Sequence, residues 1–212
     1  CESLARGTCK PYASFMEIQS WLAPDLNPYP YDPEKAKQLL AEAQADGTWD
    51  PNWELKVIWY YGDAFHQDWF AAIQQQLAQI GIKTQLQYLE GANAVAAQAA
   101  CEFDLYYQGW GFTSPEDYAP FFTRSERCTS PWRDPEADQW FTEASQTIDE
   151  GARREIYNKI QKKLNEELPM IPFVQFIGIT GLNNRVQGFN DDTLWWMWYP
   201  WLNAHHSAHL WS

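Results

Sequence analysis

Residues 54–89 carry a β-α-β pattern: ELKVIWYY (54–61), GDAFHQDWFAAIQQQLAQIG (62–81), then IKTQLQYL (82–89). The outer two runs are short and rich in β-branched and aromatic residues, as strands are. The middle run has helical spacing and stops at Gly81. Its apolar side is Phe65, Trp69, Ile73, Leu77 and Ile80, and the second strand places Ile82, Thr84, Leu86 and Tyr88 on one face. We predict two parallel strands joined by a right-handed crossover helix.

Further helices and strands are predicted on either side of this unit, which makes the fold class α/β. A helix begins at Pro33, capped by Asp32, and ends before Gly47. Its predicted buried stripe is Ala36, Leu39, Leu40 and Ala43. An Ala-rich helix spans about 92–100, and two Asp-capped helices follow later. Their predicted buried residues are Ala137, Trp140, Phe141, Ala144 and Ile148 in the first, and Ile156, Ile160 and Leu164 in the second. We predict an edge or bent strand in PMIPFVQFIGITGL (169–182), because it contains Pro172.

Composition limits the partners of the chain. The formal charge of −13 over 212 residues argues against nucleic acid and anionic membranes, because both are polyanions. No apolar run is long enough for a transmembrane helix, so none is expected. The start of the chain, CESLARGTCK, has no apolar signal segment, so a signal has been removed or the chain is a piece of something longer.

Four cysteines indicate disulfides and an oxidising compartment. They are Cys1, Cys9, Cys101 and Cys128, and they allow three pairings. No CxxC spacing is present, which disfavours a zinc site or a redox motif. The alternative is four buried free thiols in a cytosolic protein. We favour the pairs Cys1–Cys9 and Cys101–Cys128.

The stretch FDLYYQGWGFTSPEDYAPFF (103–122) joins a buried strand to a helix start through Gly109, Trp110 and Gly111. Ser114 and Asp117 form a capping-box pattern just beyond it. Ligands of open α/β sheets bind outside the carboxyl ends of the strands, and glycines let a partner approach the backbone closely. This indicates a ligand site, although a strand end with a buried Trp and an ordinary cap explains the same residues.

Catalytic and metal-binding interpretations have weaker support. The carboxylates Glu116, Asp117 and Glu143 are of the right type for glycoside hydrolysis, but capping and solvation explain them equally. A metal site could be formed by His205, His206 and His209, whereas His66 is predicted to be solvated. The tail TLWWMWYPWL (193–202) either stacks on a ligand or covers an apolar surface of a neighbouring lobe. We therefore predict no metal, no cofactor and no catalytic residue.

Four segments together resemble a known family. They are YPYDPEKAKQLLAEA (29–43), AIQQQLAQIGIKTQLQ (72–87), CEFDLYYQGWG (101–111) and ARREIYNKIQKKLNEELPMIPFV (152–174). In this order they resemble the family 5 extracellular solute-binding proteins of ABC transporters, which bind oligopeptides, dipeptides, nickel or oligosaccharides. The resemblance implies one lobe of a class II periplasmic-binding-protein-like clam-shell, with a mixed sheet flanked by helices.

The resemblance also implies an organisation and a set of partners. Residues 1–23 would be a lead-in, 24–176 the C-terminal lobe, and 177–212 an aromatic tail that returns to the other lobe. The N-terminal half would be missing from this chain. The protein would be exported to the periplasm or the cell surface, would hand a small solute to a membrane permease, and would not be an enzyme.

The resemblance places the ligand contacts at Glu90, Tyr107, Trp110, Gly111, Thr113 and Asp117. Peptide-binding members have an Asp where this chain has Thr113, and many have a Trp where it has Gly91. Because that Asp pairs with the amino group of a peptide, we expect an oligosaccharide rather than a peptide. The alternatives are a secreted carbohydrate-active enzyme or carbohydrate-binding module, and a metal-capture protein that uses the histidine-rich tail.

Overall fold

A computed structural model describes residues 2, 4–16, 18–109, 111, 114–123, 132–176, 183 and 185. Contacts divide the chain into two units, Cys1–Gln175 and Phe176–Ser212, and the structure described below is that of the first. The strands are β1 (Cys9–Pro11), β2 (Glu54–Trp59), β3 (Lys83–Tyr88), β4 (Leu105–Tyr107) and β5 (Val174–Phe176). The α-helices are α1 (Pro33–Ala45), α2 (Ala64–Gln79), α3 (Gly91–Ala99), α4 (Ala119–Thr123), α5 (Pro135–Gln146) and α6 (Glu150–Glu167). Short 3-10 helices span Gln19–Trp21 and Pro115–Tyr118.

A parallel sheet in the order β3-β2-β4 forms the centre of the predicted β-α-β region. β2 pairs with β3 from Glu54↔Lys83 to Trp59↔Tyr88, and with β4 from Val57↔Leu105 to Trp59↔Tyr107. The predicted parallel pairing and the α/β class are therefore confirmed. The carboxyl ends of all three strands meet at one edge, at Trp59, Tyr88 and Tyr107.

Helix α2 packs on this sheet through a small aromatic core. Phe70 stacks on Trp59 with ring centroids 4.4 Å apart and an interplanar angle of 16°. Phe70 is the buried residue of α2, whereas the five residues of the predicted apolar side are half-buried. The periodicity therefore identified the helix correctly but left Phe70 out of its apolar side, because spacing does not reveal which ring will stack on the sheet.

Helix α1 has the predicted caps but not the predicted burial. The Asp32 carboxylate accepts the backbone N–H of Lys35 at 2.9 Å, and Gly47 follows the helix with a positive φ of 82°. No residue of the helix is buried, and Leu39 is 52% exposed. The predicted buried stripe is therefore wrong for this chain. Leu40 lies next to Gly81. Within the described residues, α1 contributes no buried residue to a hydrophobic core.

Helices α5 and α6 build the main hydrophobic core. Both have the predicted caps, because Asp134 accepts the N–H of Ala137 and Asp149 accepts the N–H of Ala152, each at 2.8 Å. The buried residues of this core are Met16, Trp21, Tyr118, Phe122, Phe141, Ala144, Ile156, Tyr157, Ile160 and Leu164. Trp140 is half-buried, and the predicted burial of Ile148 is wrong: it is 95% exposed because α5 has already ended at Gln146.

Residues 4–23, predicted as a lead-in, contribute to this core. Gln161 of α6 is fully buried, and its side-chain oxygen accepts the N–H of Ala23 at 3.0 Å and the hydroxyl of Ser14 at 3.2 Å. Its side-chain N–H group donates to the carbonyl of Trp21 at 2.8 Å. The N-terminal segment is therefore held to α6 by a buried amide as well as by apolar contacts.

The four cysteines and the C-terminal part of the chain are described only in part. Cys9 and Cys101 are not free thiols, but Cys1 and Cys128 lie outside the described residues, so the two pairings stay predictions.

The predicted last strand is present at Val174–Phe176, and β5 pairs with β1 in a two-stranded sheet. Residues 177–182 and the aromatic, histidine-containing tail also lie outside the described residues. None of the described helices has the length and apolar character needed to cross a membrane.

Candidate functional site

The carboxyl edge of the sheet brings three chain segments side by side. Tyr60 and Tyr61 follow β2, Leu89 and Glu90 follow β3, and 108–109 follows β4. The N–H of Leu89 still donates to the carbonyl of Trp59 at 2.9 Å, so the β3 exit remains beside β2. We call residues 60–61, 88–90 and 107–109 the carboxyl edge. This is where a parallel sheet offers a binding site.

Tyr61 lies at the centre of the carboxyl edge. Its hydroxyl oxygen accepts the hydroxyl of Tyr60 at 2.8 Å and the backbone N–H of Gly109 at 2.9 Å. Its ring centroid is 4.2 Å from that of Tyr60 and 5.8 Å from that of Tyr107. The close approach predicted at Gly109 is therefore present within the protein itself. No sequence motif predicts a role for Tyr61, and only the YY pair at the end of the first strand points to it.

His66 and Asp63 support the same cluster from the start of α2. The carboxylate of Asp63 caps the helix by accepting the N–H of His66 at 3.1 Å, and its other oxygen lies 2.6 Å from His66 Nδ1. The imidazole stacks on Tyr61 at 4.6 Å, and the His66 side chain is 13% exposed. The prediction that His66 is solvated is therefore wrong, because its capping neighbour and the tyrosine ring hold it. Burial raises the pKa of Asp63, but hydrogen bonds from His66 outweigh burial and leave the pKa lowered.

The phenol groups of Tyr60 and Tyr107 stay neutral and keep hydrogen-bonding capacity. Burial, followed by the influence of Tyr61 and Asp63, raises the pKa of Tyr107 well above its usual range. Burial and the hydrogen bond to Tyr61 do the same for Tyr60. In the described part of the chain, the hydroxyls of Tyr88 and Tyr107 have no hydrogen bond, and the buried side-chain oxygen of Gln108 has no partner. These groups can donate to or accept from a ligand.

The carboxylates near this region differ in how they are held. Asp117 accepts the N–H of Ser114 at 3.0 Å, as the predicted capping box requires, and Glu116 pairs with Arg153 at 3.3 Å. Glu90 sits at the N-cap position of α3, but its exposed side chain makes no capping hydrogen bond. It is also free of ion pairs within the described residues. Glu90 is thus a carboxylate at the edge that a ligand can reach.

The predicted site residues fall into four groups. Glu90 and Tyr107 lie at the carboxyl edge, Gly111 is exposed just beyond it, and Asp117 is in the 3-10 helix that follows. Trp110 and Thr113 lie outside the described residues, so their ligand contacts stay predictions.

The catalytic and metal-binding alternatives gain no support from the described residues. Glu143 is exposed on α5, and the other two candidate carboxylates already serve a cap and an ion pair. Among the residues that the structure describes, no three metal-binding side chains come together. The histidines of the tail are outside that range.

Comparisons with known proteins agree with this fold. The glutathione-binding protein GsiB of Shigella flexneri serotype 5b is 27% identical over 199 residues, which are 87% of this chain and 37% of the relative. The oligopeptide-binding protein AppA of Bacillus subtilis, solved with a nonapeptide, superposes with a TM-score of 0.71 at 23% identity, covering 89% of this chain and 41% of that one. A periplasmic oligopeptide-binding protein of Thermotoga maritima, solved with mannohexaose, gives 0.59 at 23% identity, covering 68% and 31%.

The chain spans about a third of the length of the curated relatives it matches. A family profile described as "Bacterial extracellular solute-binding proteins, family 5 Middle" matches residues 2–128, which is more than half of the 212 residues. The resemblance found in the sequence is therefore confirmed, and the chain belongs to the family 5 bacterial extracellular solute-binding proteins.

Proposed function

We propose that this chain is a ligand-binding lobe of an exported solute-binding protein that captures a small solute and delivers it to an ABC permease. The observation that carries the proposal is the carboxyl edge, where the ends of three parallel strands present phenol groups around Tyr61. The protein acts by binding and release, with no bond made or broken in the solute. The remainder of the protein would supply the facing lobe, and closure would remove the solute from water.

For the solute we propose an oligosaccharide or another neutral polyol. Tyr88 and Tyr107 offer hydroxyls that suit sugar hydroxyls, and Trp110 would stack on the apolar face of a sugar ring. Asp63, Glu116 and Asp117 are occupied by internal partners. A peptide ammonium group left without a carboxylate in a closed cleft is costly, which disfavours a zwitterionic peptide.

A peptide is the second candidate, because Glu90 is not held by any described side chain. Its carboxylate would receive the ammonium group that Thr113 cannot. The family accommodates both classes of solute, since one solved relative holds a nonapeptide and another holds mannohexaose. Glu90 is therefore the residue that separates the two ligand classes experimentally.

The test is a thermal-shift screen of the full-length protein with cellohexaose, mannohexaose, trialanine and glutathione. A solute that binds the folded state alone raises the melting temperature. We expect an oligosaccharide to raise it, and the Glu90→Gln variant to respond equally. Glu155→Gln, which changes an exposed glutamate on α6, is the matched control.

Two outcomes would contradict the ligand class or the function. Stabilisation by trialanine or glutathione that Glu90→Gln abolishes and Glu155→Gln retains would replace the sugar with a peptide. Release of reducing ends from cellohexaose would indicate the carbohydrate-active enzyme instead, because a binding protein leaves its solute intact.

A further inference from the structure

We propose that Tyr61 is a positioning residue whose hydroxyl holds the backbone at Gly109 and so fixes where the segment that follows β4 leaves the sheet. That this segment meets a solute rests on the function proposed above. The fixing itself is a property of the protein without ligand, and it can be tested without knowing the solute.

The hydrogen bond replaces a sheet contact at the point where the sheet stops. The pairing of β2 with β4 ends at Trp59↔Tyr107, so Gly109 lies two residues beyond the last paired position. Its N–H donates to the Tyr61 hydroxyl at 2.9 Å. The Tyr61 side chain, which follows the central strand β2, thus takes the place of backbone pairing where that pairing has ended. It satisfies the Gly109 amide, which would otherwise bond to water.

The Tyr61 hydroxyl is itself held in place, which a positioning group requires. It accepts a second hydrogen bond from Tyr60 at 2.8 Å. The Tyr61 ring is packed against Tyr60 and His66, with centroids 4.2 and 4.6 Å away. Because His66 is anchored through Asp63, the start of α2 also contributes to the position of the Tyr61 ring.

The glycine at position 109 is explained by this hydroxyl. A Cβ added to Gly109 would lie 2.8 Å from the Tyr61 oxygen and 3.8 Å from ring carbon Cζ. The first distance is a clash, whereas the second is an ordinary van der Waals contact. The backbone of Gly109 is not in the left-handed region, so glycine is needed here for space and not for its conformation.

This geometry predicts that the two residues are strongly coupled. Alanine at 109 should be harmful while the Tyr61 hydroxyl is present and tolerated once the hydroxyl is gone. We therefore expect Gly109→Ala to lower the melting temperature of the full-length protein more than the same change does in a Tyr61→Phe background. Such non-additivity in a double-mutant cycle identifies direct contact between the two positions.

A spectroscopic readout separates positioning from a general effect on stability. Labelling with nitrogen-15 glycine restricts the amide spectrum to glycines, and Gly109→Ala assigns the Gly109 resonance in it. In Tyr61→Phe we expect that resonance to move upfield and its amide to exchange faster with solvent. Tyr106→Phe is the matched control, because in the described residues the Tyr106 hydroxyl has no hydrogen-bond partner. It should leave the Gly109 resonance in place.

Additive effects in the cycle, or a Gly109 resonance that Tyr61→Phe leaves unmoved, would overturn the inference. The same variants are then titrated with cellohexaose and with trialanine. We expect Tyr61→Phe to weaken binding of the solute that binds by roughly 3- to 10-fold, the size of one hydrogen bond, and Tyr106→Phe to have no effect. Coupling without binding of either solute would retain the positioning role and count against the proposed function. If Tyr61→Phe binds the solute as tightly as the wild type, the hydrogen bond between Tyr61 and Gly109 has no role in recognition.

Discussion

The carboxyl edge and helix α6 both contain polar side chains in a protein interior, yet they use them in opposite ways. In α6, the amide of Gln161 is fully buried and each of its two polar atoms has hydrogen-bond partners. Asn165 is likewise bonded to Asn27 and to the carbonyl of Ala13. At the carboxyl edge, the hydroxyl of Tyr107 and the side-chain oxygen of Gln108 have no partner among the described residues.

The difference indicates which region holds the fold and which is available to a solute. A polar group that is fully bonded stabilises the folded chain, and removing it leaves buried partners unsatisfied. A buried polar group without a partner costs stability in the free protein and gains a hydrogen bond when a ligand arrives. The comparison therefore predicts that stability and binding depend on separate sets of residues.

The largest effect is expected from Gln161→Leu, which keeps the volume and removes the amide. It would leave the Ala23 N–H, the Ser14 hydroxyl and the Trp21 carbonyl without their partner. We expect a loss of about 3 kcal/mol in the free energy of unfolding, measured by urea denaturation. The control Gln75→Leu changes an exposed glutamine on α2 and should cost little. Equal losses in the free energy of unfolding of Gln161→Leu and Gln75→Leu would contradict the structural role of the buried amide.

The helix caps give the next largest effect and separate α6 from α1. Asp149→Ala removes the carboxylate that accepts the backbone N–H of Ala152 at the start of α6. The buried side of this helix forms part of the main core. We expect a loss of about 1 kcal/mol. Asp32→Ala removes the same kind of cap from α1, which buries no residue, so local fraying there should change the global transition less. A larger loss in Asp32→Ala than in Asp149→Ala, measured by the same urea denaturation, would show that α1 belongs to the cooperative core.

Acidification should weaken the helical region through Asp134. Hydrogen bonds from Lys163 and from the Ala137 N–H lower the pKa of this carboxylate in the folded protein. Its stabilisation is therefore present above the unfolded pKa of about 3.9 and is lost as the pH falls through the lower folded value. We expect the melting temperature of Asp134→Asn to fall less than that of the wild type between neutral pH and strongly acidic pH. Parallel pH profiles would contradict this contribution.

The smallest effect on stability is expected at the carboxyl edge. Tyr107→Phe removes a hydroxyl without a described partner and keeps the ring packing against Tyr61 and Phe70. We expect the free energy of unfolding to change by less than about 0.5 kcal/mol, while affinity for the solute decreases. A marked loss of stability in the unfolding curve would mean that this hydroxyl is part of the folded network after all.

The sequence predicts the fold better than it predicts the site, for physical reasons. Parallel strands and Asp caps follow from local periodicity and capping chemistry, and they were confirmed as the pairing of β2 with β3 and as the caps of α5 and α6. Burial of Leu39 was predicted wrongly, because a periodic apolar face does not reveal whether another element covers it. Burial of Ile148 was predicted wrongly because α5 ends at Gln146, two residues before it.

The centre of the site was missed for a related reason. Tyr61 and Gly109 are 48 positions apart, and their contact depends on the pairing of β2 with β4. The prediction that His66 is solvated is wrong, because spacing along α2 does not show that Asp63 holds the imidazole against Tyr61. Of these contacts, the one between Tyr61 and Gly109 forms only when the sheet is assembled.

The central claim is most directly tested by hydrogen–deuterium exchange of the full-length protein with and without cellohexaose, mannohexaose or trialanine. We predict that one of these solutes slows exchange in the three segments of the carboxyl edge, 60–61, 88–90 and 107–109, and leaves α5 and α6 unchanged. Protection that appears in α5 and α6 while the carboxyl edge exchanges as before would contradict the assignment of this edge as the solute-binding site.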